Sequence, residues 1–145
     1  MSEIGDINFF NESTKFILRN KIKLRRWLLI CAGKEKYSIG ELNYIFCSDN
    51  YLRKINKQYL NHDYFTDIIT FSTSEPGDKR ISGDIFISIV RVRENAKSYK
   101  ASVSDELHRV MIHGLLHLCC YNDKSQQQKN KMRKAENMHL TKINF

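Results

Sequence analysis

His113 and His117 lie four residues apart in the apolar run Met111-Ile-His-Gly-Leu-Leu-His-Leu, and Asp123 follows six residues after the second. Residues four apart share one face of a helix, so both imidazoles can address a single ion. A break at Cys119-Cys120-Tyr121-Asn122 then returns Asp123 to the same point, because Asn tolerates turn conformations. Two imidazole nitrogens and one carboxylate oxygen leave the fourth corner of a tetrahedron open, which is the pattern of a catalytic zinc rather than a structural one. Two plainer readings compete: hydrogen-bonded core histidines, and an Asp123 that caps the helix beginning near Ser125. Metalloproteases with H-E-x-x-H place a water-activating glutamate after the first histidine, and here that position is Gly114.

The elements that would position these groups follow from periodicity. Ile7 to Phe10 reads as a short strand, and Ser13 to Ala32 as a helix with Phe16, Ile17, Trp27 and Leu28 inward and Gly33 as its stop. Glu41 to Cys47 alternates as a strand. Ser48-Asp49 opens a helix through Leu60 with Leu52, Ile55 and Tyr59 inward. Asp67 to Ser72 and Ile81 to Val90 are β-rich runs joined by the turn Ser74-Glu75-Pro76-Gly77-Asp78, and Asn95 to Lys100 belongs to a further helix. Ser104-Asp105-Glu106 opens the histidine helix, with acidic residues at its positive end. Ser125 to Leu140 closes the chain as a polar helix with Met132, Ala135 and Met138 as its apolar stripe. Hairpin-type connections outnumber β-α-β units in this reading, which predicts an α+β fold with helices on a small mixed sheet.

At 145 residues the chain is expected to form one domain, residues 1–145, with a substantial core. A hydrophobic fraction of 41% with 28% charged residues excludes a disordered chain, while a net charge of +8 points to a polyanionic partner. Cys31, Cys47, Cys119 and Cys120 form no C-x-x-C pair or spaced framework, so reduced thiols are expected. The start Met-Ser-Glu-Ile-Gly-Asp lacks a signal peptide's basic and apolar regions, and no apolar run reaches membrane-spanning length. These features predict a cytoplasmic protein that does not enter membranes.

Three blocks of the chain together resemble the YbeY family of bacterial metal-dependent endoribonucleases, also described as rRNA maturation factors. The family's H-G-x-L-H-L-x-G-Y-D-H corresponds to His113-Gly-Leu-Leu-His117-Leu-Cys-Cys-Tyr121-Asn-Asp123. Its T-D-V-L-S-F corresponds to Thr66-Asp67-Ile-Ile-Thr-Phe71, and its G-D-I-x-I-S to Gly83-Asp84-Ile-Phe-Ile-Ser88. The blocks agree in order and spacing, and the similarity runs from Glu41 to His139. The resemblance implies a zincin-like α+β fold with its metal site on a central helix. It also implies one zinc ion on His113, His117 and Asp123, and cleavage of single-stranded RNA. The RNA would be ribosomal, on the small subunit, in ribosome biogenesis and maturation of the 16S rRNA 3′ end.

The chain departs from the family at three places. Asp123 stands where histidine is usual, which lowers the site's charge by one and should make a water on the ion somewhat less acidic. Cys120 replaces a glycine; a positive φ there would cost about 1 kcal/mol, and a thiolate approach to the ion would close the open position. Leu60 replaces an arginine implicated in RNA handling, with Arg91 and Arg93 as possible substitutes.

No general base is evident from sequence. His62 and Asp67 are the nearest candidates, whereas Asp84 and Thr66 read as supports for turns or ligand orientation. The alternatives to a nuclease are a zinc-stabilised RNA-binding assembly factor and a metallopeptidase. The charge and the basic clusters Lys21–Arg26 and Lys129–Lys134 lead to a first expectation. RNA affinity should fall linearly on a log–log scale as salt rises, because each neutralised phosphate releases counterions. Titrations at increasing ionic strength that leave affinity flat would contradict a phosphate-tracking surface.

Overall fold

The computed structural model describes residues 5–145. The targeting-segment reading of the amino terminus falls largely on residues 1–4, outside the described residues. The strands are β1 (Asp6–Glu12), β2 (Ser38–Cys47), β3 (Ile68–Ser72) and β4 (Arg80–Ser88). They form one four-stranded sheet in the order β1-β2-β4-β3. On β2, Leu42, Tyr44 and Phe46 enter the main core, while Cys47 turns to a smaller cluster with Leu52 and Ile69. A strand buried on both faces belongs inside the sheet, where β2 lies.

The α+β class holds, with a mixed sheet, but the pairing differs from the expected predominance of hairpins. β1–β2 and β2–β4 are parallel, and β3–β4 alone is antiparallel. Parallel neighbours require crossovers, and α1 (Lys21–Lys34) and α2 (Asp49–Leu60) lie in them. The remaining helices are α3 (Ile89–Ser98), α4 (Val103–Leu118) and α5 (Gln126–Leu140).

Several boundaries move for local reasons. α1 begins only at Lys21, because Ser13 and Asn20 take φ values of 56° and 61° and interrupt helical backbone. Phe16 and Ile17 therefore lie outside it, and Gly33 falls inside its last turn. β4 stops at Ser88 because the Ser88 hydroxyl accepts the Arg91 amide hydrogen at 3.3 Å and caps α3. Ile89 and Val90 thus begin a helix whose second half is the segment expected at Asn95 to Lys100. α4 is capped by Ser102 rather than Ser104, with Asp105 and Glu106 in its first turn as anticipated. On α2, Leu52 is buried but Tyr59 is exposed, and the inward polar residue is Asn56, which donates to the Tyr64 carbonyl at 3.1 Å.

α4 is the axis of the fold. Leu107, Val110, Met111, Ile112, Leu115 and Leu116 bury it in the main core, and the Tyr44 hydroxyl donates to the Met111 carbonyl at 2.8 Å. Beside it, α5 buries Met132, Ala135, Glu136 and His139, the i, i+3, i+4, i+7 face of a helix. Met138, expected inward, is 41% exposed. The inward stripe of α5 therefore carries a carboxylate and an imidazole.

Cys120 has φ 71°, so the backbone at this position is left-handed. Replacement by Gly should relieve strain that only a residue without Cβ avoids. Cys120→Gly is expected to raise unfolding free energy by about 1 kcal/mol in urea titrations, with the slope of the transition unchanged.

Candidate metal centre

On α4, His113 and His117 present their rings to one side, and the turn after Leu118 carries Asp123 back to them. His113 Nε2 and His117 Nε2 are 3.0 Å apart, and Asp123 Oδ2 is 3.4 Å from the first and 3.3 Å from the second. Bonds of about 2.0–2.1 Å to zinc put the corners of a tetrahedron about 3.3 Å apart, so these distances match an ion's coordination edges. The three groups can hold a metal ion.

The other ring nitrogens fix the tautomers. His117 Nδ1 lies 3.0 Å from the Tyr121 carbonyl oxygen, which can only accept, so Nδ1 carries the hydrogen. His113 Nδ1 lies 2.6 Å from Glu136 Oε2, and Arg109 Nη1 donates to the other Glu136 oxygen at 2.9 Å. Burial raises the Glu136 pKa, but the His113 and Arg109 hydrogen bonds and charges outweigh it and hold the carboxyl below its ordinary range. An ionised Glu136 accepts from His113, so both Nε2 lone pairs face the carboxylate of Asp123. Three such acceptors repel one another unless a proton or a metal ion lies between them.

Sequence reasoning missed Glu136, Arg109 and the Tyr121 carbonyl. The signal for Glu136 was its place on the Met132–Ala135–Glu136–His139 face, which a polar residue disguises. The cap reading of Asp123 fails for a local reason. Ser125 Oγ accepts the Gln128 amide at 3.1 Å, and Gln128 Oε1 accepts the Ser125 amide at 3.1 Å, a complete capping box. Cys120 is not among the converging donors and instead lines clefts on either side of the Asp123 loop.

Two clefts, of about 450 and 540 Å³, meet at the site and share Asp67, Ile68, His113 and Asp123. The first holds Arg109, Lys129 and Arg133; the second holds Leu60, His62, Tyr64 and Thr66. Asp67 accepts from Asn95 at 3.2 Å; burial raises its pKa, only partly opposed by the charge of His113 and by hydrogen bonds. His62 stacks on Tyr64 with ring centroids 5.2 Å apart, and the Tyr64 hydroxyl is 3.0 Å from His62 Nδ1. Thr66 bonds locally to the Ile68 carbonyl, and Asp84 accepts from Asn43 at 2.9 Å on the sheet, away from the histidines. Arg91 does not take the place of an arginine at position 60, because Asp49 at 2.9 Å and Glu94 at 3.2 Å engage it. Neither Arg91 nor Arg93 is among the residues lining the two clefts.

Gly114 excludes the peptidase arrangement on steric grounds. A Cβ there would lie 2.9 Å from Ile85 Cγ2 and 3.1 Å from Ile68 Cδ1, so position 114 faces the sheet. A glutamate at this point would enter the core rather than the site.

Residues 7–144 match the family described as Endoribonuclease YbeY. A protein of that name from Cytophaga hutchinsonii is 55% identical over 139 residues, covering 96% of each chain. Its namesake from Bacteroides thetaiotaomicron is 45% identical, covering 92% of this chain and 96% of its own. A solution structure of a Thermotoga maritima protein superposes with a TM-score of 0.65 at 25% identity, over 92% of this chain and 86% of its own.

Loss of the anionic corner should be visible directly. Asp123→Ala is expected to lower metal content, whereas Asp123→His retains it, because imidazole is an equally suitable donor. Glu136→Gln should weaken metal affinity by about ten- to a hundredfold through loss of ring orientation. Burial lowers the His113 pKa, but Glu136, Asp123 and Asp67 outweigh it and raise the pKa. In the metal-free protein the resulting stabilisation is complete below the unfolded histidine pKa and is lost as pH rises through the raised folded value. Metal must displace that proton, so affinity should climb about tenfold per pH unit across the same window, by competition titration.

Proposed function

Since the chain belongs to the YbeY family, we propose that it is a zinc-dependent, single-strand-specific endoribonuclease. It would act in ribosomal RNA processing on the small subunit, including maturation of the 16S rRNA 3′ end. In this reading residues 1–145 are one catalytic domain, one zinc ion is held by His113, His117 and Asp123, and the enzyme works in the cytoplasm. The observation that carries the proposal is the convergence of three acceptors, each ring oriented from behind, where two clefts meet. Among the described residues no helix is long and apolar enough to cross a membrane. The buried thiols Cys31, Cys47 and Cys119 are unpaired and pushed up to about 12 by burial, which fits a reducing compartment.

The bound ion supplies Lewis-acid polarisation of a phosphate oxygen or a water molecule. Lys129 and Arg133, exposed on the first cleft, draw the phosphates in, and Arg109 is held by Glu136 and Asn137. Asp67 is the proton acceptor of choice: it borders both clefts beside His113, and burial raises its pKa above the ordinary carboxylate value, which makes it a stronger base. His62 and Tyr64 offer a stacked pair of faces to bases in the second cleft.

A second reading is favoured by Leu60, 42% exposed in that cleft where the family has an arginine: an RNA-binding assembly factor whose zinc only stabilises the fold. A cleavage assay separates the two. Unstructured RNA should be cut and duplex RNA spared, chelator should stop cleavage, and zinc should restore it. His113→Ala with His117→Ala should lower the rate by at least about a hundredfold. Metal-dependent stability with RNA binding but no cleavage would establish the assembly-factor reading instead.

A further inference from the structure

We propose that a third cleft, on the far side of the Asp123 loop, is a subsite for the single-stranded RNA flanking the scissile phosphate. The inference rests on the nuclease reading and extends it to where the strand runs. The cleft has a volume of about 400 Å³ and shares Cys120, Tyr121 and Asn122 with the second cleft, so the two meet across that loop.

Its lining pairs cations with aromatic faces twice. Lys79 Nζ stands 4.5 Å from the centroid of the Tyr37 ring, and Lys131 Nζ 5.4 Å from that of Tyr121. Lys36 adds a third ammonium. The one carboxylate lining the cleft, Glu35, is engaged from behind: Oε1 accepts from the Tyr121 hydroxyl at 2.8 Å, and Oε2 bonds His139 Nε2 at 2.6 Å. The cleft therefore offers three exposed ammonium groups to a ligand, with the balancing carboxylate turned inward.

An ammonium over a ring is held weakly at an exposed site, so it can leave the ring for a phosphate while a base takes its place on the face. Alternating cation and aromatic surface suits a strand whose phosphates and unpaired bases alternate in the same way. An acidic peptide would use the lysines but leave the rings idle. Asn122 is exposed at the crossing, where its amide can hydrogen-bond a base edge without sequence preference.

The test compares binding of a trinucleotide with that of an unstructured RNA of about twelve nucleotides, using zinc-loaded full-length protein. The parent should bind the longer RNA at least about tenfold more tightly. Tyr37→Ala and the double variant Lys79→Ala, Lys131→Ala should each remove about that factor, leaving trinucleotide binding and zinc content at parental values. The double variant changes only exposed residues and keeps the test sound if loss of the half-buried Tyr37 ring disturbs folding. It should also reduce the salt slope by about 1.4, for two phosphates on a single strand. Tyr37→Phe should bind as the parent does. Unchanged binding of the longer RNA in the double variant overturns the subsite while the nuclease reading stands. A parent that neither binds nor cuts either RNA overturns both. Displacement of the RNA by a polyglutamate as effectively as by RNA of equal charge overturns the stacking role.

Discussion

The close seating of α4 on the sheet governs the rest of the molecule. Gly114, between the two histidines, lies where a Cβ would meet Ile85 and Ile68, and the Tyr44 hydroxyl holds the Met111 carbonyl. Together these contacts fix the helix in rotation. With Gly114 against the sheet, the face bearing His113 and His117 turns to the clefts. Gly83 repeats the constraint at the other end of the contact, where a Cβ would meet Leu118 Cδ2 at 2.9 Å. A helix packed this tightly cannot rotate to relieve repulsion at its polar face, so the three converging acceptors stay together and form a place where a proton or a metal ion can be held.

The polar groups behind the site turn a pair of histidines into oriented donors. Arg109 and Glu136 fix His113, while the Tyr121 carbonyl fixes His117. Tyr121 is itself anchored by Glu35, which also holds His139 of α5. One network thus joins the end of α1, the Asp123 loop and the last helix. The same bonds that orient the rings tie α5 to the core, so stability and site geometry are coupled here.

The departures from the family pattern are physically consistent with one another. Asp123 adds a negative charge beside the two histidines, in a region already holding Asp67, Glu106 and Glu136. Arg109, Lys129 and Arg133 line the same cleft and balance those carboxylates. No arginine stands at position 60, and the cations that line the first cleft come from α4 and α5 rather than from α2. The left-handed backbone at Cys120 survives with a side chain because the turn needs it to return Asp123, and its thiol is exposed rather than forced into the core.

The sequence by itself determined the local features: the i, i+4 histidines, the returning aspartate, the serine cap of α2, and the alternation of β2. Each depends on neighbours a few residues away, within reach of periodicity and turn chemistry. The strand-to-helix switch at Ser88 was obscured because Ile89 and Val90 carry β propensity that a cap overrides. The parallel pairings of β2, the burial of Glu136 and His139, and the meeting of the clefts depended on contacts between residues distant in the chain. Glu136 lies 23 residues from His113, and His139 lies 104 from Glu35. Sequence patterns treat such residues as solvated because burying a charge is costly, and only the tertiary structure supplies the partners that make the burial favourable.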